Sequence, residues 1–166
     1  KGQLSNLESV TNEVKLMMDP NADPYATPVI DENVVPSKFG ASDIQDLNWV
    51  QLMNAYTCTE CGRCTSSCPA NSTGKLLSPR KIMMATRDRM EEVGKNIDAN
   101  KGVFVPDNKS LLNDYITPEE LWACTSCNAC VEECPVNISP LSIIVDLRRF
   151  LVMEQSAAPT SLNAMM

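Results

Sequence analysis

The sequence predicts an all-α fold, and three observations predict it. Helix-opening dipeptides stand at Ser78-Pro79, Thr117-Pro118 and Ser139-Pro140. In each, the hydroxyl can cap free amides, and proline's fixed φ suits the first helical position. The residues that follow place apolar side chains at helical spacing. Third, the order helix, cysteine run, Ser-Pro helix occurs twice, the two cysteine runs being offset by 66 residues.

Taken in chain order, residues 5 to 18 read as a short amphipathic helix. Ser5 and Glu8 are spaced as a capping box, and Leu7, Val10, Val14 and Met17 share a face. From Asp19-Pro20 to Ser42 the chain holds four prolines and many Asp and Asn residues, which predicts an arm without regular structure. Ser42 and Gln45 form a second capping box and predict a helix to about Tyr56. Ser78-Pro79 opens a helix to Val93 with Ile82, Met83, Met90 and Val93 inward, and Gly94 reads as its stop. Residues 95 to 116 are a polar connection in which Val103-Phe104-Val105 reads as a short strand or a turn brace. Thr117 with Glu120 forms a further capping box ahead of the second cysteine run. Ser139-Pro140 opens the last helix, to about Glu154. It is apolar on more than one face through Leu141, Ile143, Ile144, Val145, Leu147, Phe150, Leu151 and Val152. That pattern predicts burial on several sides or docking on a partner. The expected organisation is an N-terminal helix and arm (1–42), a cysteine-bearing domain (43–156) and a C-terminal tail (157–166).

Composition narrows the function. Hydrophobic residues make up 43% but aromatics only 5%, against nine Met and eight Cys, so the interior is sulfur-rich. Twenty-one acidic and fourteen basic side chains give a formal charge of −7. This argues against nucleic acid, whose binding rests on Lys and Arg at phosphates. Histidine is absent, which excludes Rieske ligation, His-ligated haem and a histidine general base. The sequence shows no phosphate-binding glycine loop, no dinucleotide fingerprint and no nucleophile beside a base, so no catalytic residue is predicted. The start of the chain lacks a basic region followed by an apolar run, and no apolar stretch nears the ~20 residues needed to span a bilayer. The chain begins at Lys1 and not at Met, which sets the expectation of a fragment of a longer protein.

All eight cysteines fall into two identical runs. They are Cys58-x2-Cys61-x2-Cys64-x3-Cys68-Pro69 and Cys124-x2-Cys127-x2-Cys130-x3-Cys134-Pro135. A cubane needs one thiolate on each of four irons, and three cysteines at a spacing of three let a tight loop wrap one cluster. The following proline then turns the chain away, because it cannot continue a helix. The expected cofactors are two [4Fe–4S] clusters, which would bring the loaded chain to about −11, since each oxidised cubane with four thiolates carries about −2. Zinc favours two separated Cys pairs, whereas here four cysteines crowd into eleven residues. Disulfides would need an oxidising compartment. The weightier alternative is a structural or redox-sensing role for the clusters.

Gly62 and Asn128 each follow the second cysteine of their run. Both residue types tolerate the left-handed region, which predicts positive φ and a shared backbone kink. Hydroxyls at Thr57, Thr59, Thr65, Ser66, Thr125 and Ser126 stand within reach of the thiolates or of solvent. Arg87, Arg89, Arg148 and Arg149 read as solvated helix faces or as contacts for an acidic partner. Met17-Met18 and Met83-Met84 read as core filler.

With Tyr56-Thr57-Cys58 through Cys68-Pro69-Ala70, and Glu120-Leu121-Trp122-Ala123-Cys124 through Cys130, set among Ser-Pro helices, residues 43 to 155 resemble the α-helical ferredoxin family. That family includes the C subunit of heterodisulfide reductase and the iron–sulfur subunit of anaerobic glycerol-3-phosphate dehydrogenase. The 66-residue offset and helical linker carry the likeness to this branch, since compact ferredoxins lack them. The chain also resembles the soluble segment of bacterial iron–sulfur oxidoreductases with a membrane anchor. The resemblance implies electron transfer as the iron–sulfur part of a larger oxidoreductase. It also implies a cytoplasmic location, at the membrane face in the full-length protein, and flavoprotein or quinone-linked partners. Spacing alone leaves open which cluster the fourth cysteine serves. Two-cluster ferredoxin precedent implies a crossed arrangement. One cluster then takes Cys58, Cys61, Cys64 and Cys134, and the other takes Cys124, Cys127, Cys130 and Cys68.

Overall fold

The computed structural model describes residues 14, 17–20 and 38–160. The chain divides into two compact units, Lys1–Ser37 and Lys38–Met166. In the first, Val14, Met17 and Met18 are helical. The rest of the helix expected over residues 5 to 18, and residues 21 to 37 of the arm, lie outside the described residues.

The second unit is helical, with no strand among its described residues. Its helices are α1 (Trp49–Thr57), α2 (Arg63–Ser66), α3 (Pro69–Ser72), α4 (Pro79–Ala99), α5 (Pro118–Trp122), α6 (Ala129–Glu132) and α7 (Pro140–Met153). The three expected Pro starts all hold. The hydroxyls of Ser78, Thr117 and Ser139 accept from the amides of Lys81, Glu120 and Ser142, which is how such side chains satisfy amides that have no partner within the helix. Thr117 and Glu120 complete their capping box in both directions.

Two boundaries differ from expectation, each for a local reason. The chain after Ser42 does not run straight into a helix. The Asp43 carboxylate caps a short 3-10 turn, Ile44–Asp46, and Leu47 is extended. Asn48 then opens α1 through its own capping box with Gln51. Ser42 instead serves Asp46, its amide and its hydroxyl both lying on Oδ2, at 2.8 and 3.0 Å. Nor does α4 stop at Gly94. Gly costs a helix interior only about 1 kcal/mol, and the turn beyond it is anchored by Ile97, which packs on the core. The helix ends where the Gly102 amide bonds back to Ile97 O at 2.9 Å, with Gly102 at φ +92°. Val103–Val105 is a brace and not a strand: Asn96 holds both backbone groups of Val105, at 2.9 and 3.0 Å.

The core forms where α4 crosses the centre and touches α1, α2, α7 and a kinked turn at Leu111–Tyr115. Ile82, Met83 and Val93 face inward from α4, and Ile143, Ile144, Leu147 and Leu151 from α7. Burying such side chains contributes roughly 1.5–3 kcal/mol each. The last helix thus spends most of its apolar surface inside the unit, although Val145 and Met153 remain exposed. Gly40 packs closely against it. At φ +79°, a Cβ on Gly40 would lie 2.4 Å from Asp146 O and 2.5 Å from Phe150 N. The Ala41 amide donates to Asp146 O at 3.1 Å, and Gln51 Nε2 to Asp146 Oδ2 at 2.5 Å, so the segment before α1 is strapped to α7.

Candidate metal centre

Each cysteine run is delivered by the same local structure. The first follows α1 and the second follows α5. In both loops the residue two after the first cysteine is left-handed, Glu60 and Ser126 each at φ +56°. So is the residue four after it, Gly62 at φ +80° and Asn128 at φ +62°. The kink expected at Gly62 and Asn128 is therefore present in both halves. The one at Glu60 and Ser126 carried no sequence signal, because neither type prefers that region. From the second kink a single helical turn begins, α2 in one half and α6 in the other, and the two turns pack together. Each turn closes on its fourth cysteine, the Cys68 amide bonding Thr65 O and the Cys134 amide bonding Val131 O, both at 3.2 Å. Exposure repeats only at the second cysteine, Cys61 and Cys127 both being exposed. The buried one is the fourth of the first run, Cys68, and the third of the second, Cys130.

The cysteines ring two hollows. The first is lined by Cys58, Cys61 and Cys64 of one run and by Cys130 and Cys134 of the other. The second is lined by Cys124, Cys127 and Cys130, and by Cys68 of the opposite run. Every one of the eight borders a hollow. Electrostatics groups them in the same way. Burial pushes the Cys64 thiol up, and the neighbouring sulfurs of Cys58, Cys134 and Cys61 push it further. Burial raises Cys130 to about 12, reinforced by Cys124, Cys64, Cys68 and Cys127. Cys127 goes down, because the Ala129 amide and the Thr125 hydroxyl bond to it. A ligand set of this kind gives up protons when it binds metal.

The donor set fits a pair of cubanes. It is all thiol, and soft thiolates suit iron–sulfur clusters. Among the described residues no three Cys, Asp or Glu side chains converge as a single ion would require. A cubane needs no such point, since its four ligands stand around a cage on four separate irons. Backbone amides also reach the sulfurs of Cys124 and Cys134, from Ser126 N–H and Ile138 N–H, both at 3.4 Å.

The hydroxyls around the runs divide. The Thr125 hydroxyl draws the Cys127 thiol down, and that of Thr65 opposes the rise at Cys64. Thr57 instead bonds Met53 O, Ser66 bonds Arg63 O, and Thr65 also shares its hydroxyl with Ser78. Of the four arginines read as solvated faces, Arg149 is one, but Arg89 is fully buried. Arg148 is half-buried and donates to the carbonyls of Leu121 and Cys124. Arg87 pairs with Glu60. A helical position by itself does not reveal such partners, because the acceptors come from segments distant in sequence.

Residues 57–138 match the family described as the 4Fe-4S dicluster domain. The chain is 36% identical to a probable iron–sulfur-binding oxidoreductase, FadF, of Bacillus subtilis, over 70% of this chain and 21% of that one. It is 34% identical to the EtfAB:quinone oxidoreductase of Syntrophomonas wolfei, over 73% of this chain and 20% of that one. It is also 34% identical to a probable membrane-anchored ferredoxin of Chromohalobacter salexigens, over 78% of this chain and 21% of that one. The chain thus spans about a fifth of the length of these relatives. Among the described residues no helix is long and apolar enough to cross a membrane.

Proposed function

We propose that this chain, which carries a 4Fe-4S dicluster domain over residues 57–138, is the electron-transfer segment of a larger oxidoreductase, and that residues 43–156 form its working unit. One observation carries the reading: the two cysteine-ringed hollows share a wall at Cys130. Bound clusters supply reversible one-electron storage, and adjacency of two such stores is what passage between partners requires, whereas a purely structural role has no use for it.

In the ligation we propose, Cys58, Cys61, Cys64 and Cys134 hold one cluster, and Cys124, Cys127, Cys130 and Cys68 hold the other. The support is that Cys134 and Cys68 each line the hollow of the opposite run. Cys130 borders both hollows, and of its four neighbouring sulfurs Cys124, Cys68 and Cys127 line the second and Cys64 the first. The chain's own residues shape access: Cys61 and Cys127 bring each site to the surface, while Met83 and Ile138 close the first from behind and Leu77 and Ile144 the second.

The relatives' names favour flavoprotein or quinone-linked partners, one of them being an EtfAB:quinone oxidoreductase. A place at the cytoplasmic face of a membrane is the location we propose for the full protein, in keeping with the membrane-anchored ferredoxin. Anaerobic purification should yield about eight irons and eight sulfides per chain. Reduction by a low-potential donor should then produce the EPR signals of two interacting clusters, with exchange between them faster than reoxidation. A colourless zinc protein, or one cluster that stays oxidised at any accessible potential, would remove the relay.

A further inference from the structure

The repeat places one arginine beside the first cysteine of each run, and the two arginines are not electrically alike. Arg87 lies eight residues after Pro79 in α4, and Arg148 eight residues after Pro140 in α7. Arg87 stands in the field of Cys58, and Arg148 in the field of Cys124.

In the first half the arginine is neutralised. Glu60, at the left-handed position two residues after Cys58, pairs with Arg87. The equivalent left-handed position of the second half holds Ser126, which has no charge to offer. Arg148 therefore satisfies its donors on neutral groups: Nε on Leu121 O at 3.0 Å and Nη2 on Cys124 O at 2.5 Å, with the guanidinium 5.1 Å from the Trp122 ring centroid. Among the described residues no carboxylate pairs with it. The hollow that Cys124 borders is lined by no charged side chain. Glu60 and Arg80 line the other hollow, but both are exposed, so water and salt screen them. Arg148 is half-buried, where a charge acts at lower effective dielectric.

We propose that Arg148 raises the reduction potential of the site containing Cys124, whereas the Arg87–Glu60 pair leaves the potential of the site containing Cys58 unshifted. This rests on the two-cluster reading above. Adding an electron makes a site more negative, and an unpaired cation held against a ligand's own backbone favours that reduced form. An ion pair at the corresponding place contributes two opposing fields that largely cancel.

The test is an EPR-monitored redox titration of the reconstituted chain, with iron and sulfide counted for each variant. Arg148→Gln should lower one of the two midpoint potentials and spare the other. Arg148→Lys keeps the charge but loses the two-carbonyl grip, and should stay near the wild type. Glu60→Gln combined with Arg87→Gln should move neither midpoint. Ser126→Glu leaves every Arg148 bond in place and should lower the same midpoint as Arg148→Gln, so the proposal remains testable even where Arg148→Gln does not assemble. An Arg148→Gln or Ser126→Glu protein with both clusters and unmoved potentials overturns the inference. So does an Arg148→Lys shift as large as that of Arg148→Gln, or an equal shift in the double variant. A wild-type chain that holds no reducible cluster overturns the two-cluster reading itself, and this inference with it.

Discussion

Arg89 of α4 grips Asp43 with two nitrogens, Nη2 on Oδ2 at 2.7 Å and Nε on Oδ1 at 3.1 Å. The same guanidinium holds Asp107, Nη1 on Oδ2 at 2.5 Å, and the Lys109 carbonyl at 2.7 Å. One wholly buried side chain thus ties the entry to α1 and the 107–109 loop to the central helix. Arg89→Leu should lower unfolding free energy by about 3 kcal/mol, because it strands two carboxylates that had a buried partner. Arg89→Lys should recover little, since an ammonium cannot form the fork. Chemical denaturation of the loaded chain measures both.

The same contact sets an acid limit. Its hydrogen bonds with Arg89 hold the Asp107 carboxyl down at about 2, from an ordinary 3.8. A carboxylate with a depressed folded value contributes stability above its unfolded value and loses it as pH falls toward the folded one. The contribution should be full above pH ~5 and gone only below the folded value, by pH ~1. Asp107→Asn should flatten that part of the stability–pH curve, measured on the apo chain so that loss of metal does not mask it.

Gly40→Ala should destabilise sharply. The added methyl would meet the backbone of α7 at 2.4 and 2.5 Å, and the residue sits at φ +79° besides. Gly74, at φ +82° with nothing within 4 Å of the added carbon, is the control. Gly74→Ala should cost only the left-handed penalty of about 1–2 kcal/mol, and thermal melts of the two should separate strain from collision.

Asn128→Gly should be nearly silent and Asn128→Val costly by about 1–2 kcal/mol, because a β-branched residue resists φ +62°. The loop around Cys127 carries the cost, so the slower step should be cluster reconstitution, read from the rise in visible absorbance.

Cys68→Ser should perturb the site containing Cys124 more than the site containing Cys58, and Cys134→Ser the reverse. Each fourth cysteine lines the hollow of the other run. EPR of the two variants decides it. Losses confined to the cysteine's own run would show that the ligation is not crossed.

Much of this architecture was legible because local chemistry and tertiary structure agree in it. Ser78, Thr117 and Ser139 cap helices on short-range signals alone, and the eight cysteines mark their sites by spacing. Where reading failed, a distant group had entered. Asp43 displaced the box expected at Ser42 because it also meets Arg89 across 46 residues. Gly94 did not stop α4 because the following turn packs on the core through Ile97. Arg89 and Arg148 looked solvated because their acceptors, Asp107 and Leu121, lie on segments whose position no helical periodicity reports.

The exchange of walls between the two halves has an evolutionary consequence. A duplicated module whose copies each complete themselves can be pared back to one copy or split between two genes. Here the half ending near residue 100 contributes Cys68 to its sister's hollow and draws Cys134 from it. Neither half can be discarded without leaving the survivor one wall short of its hollow.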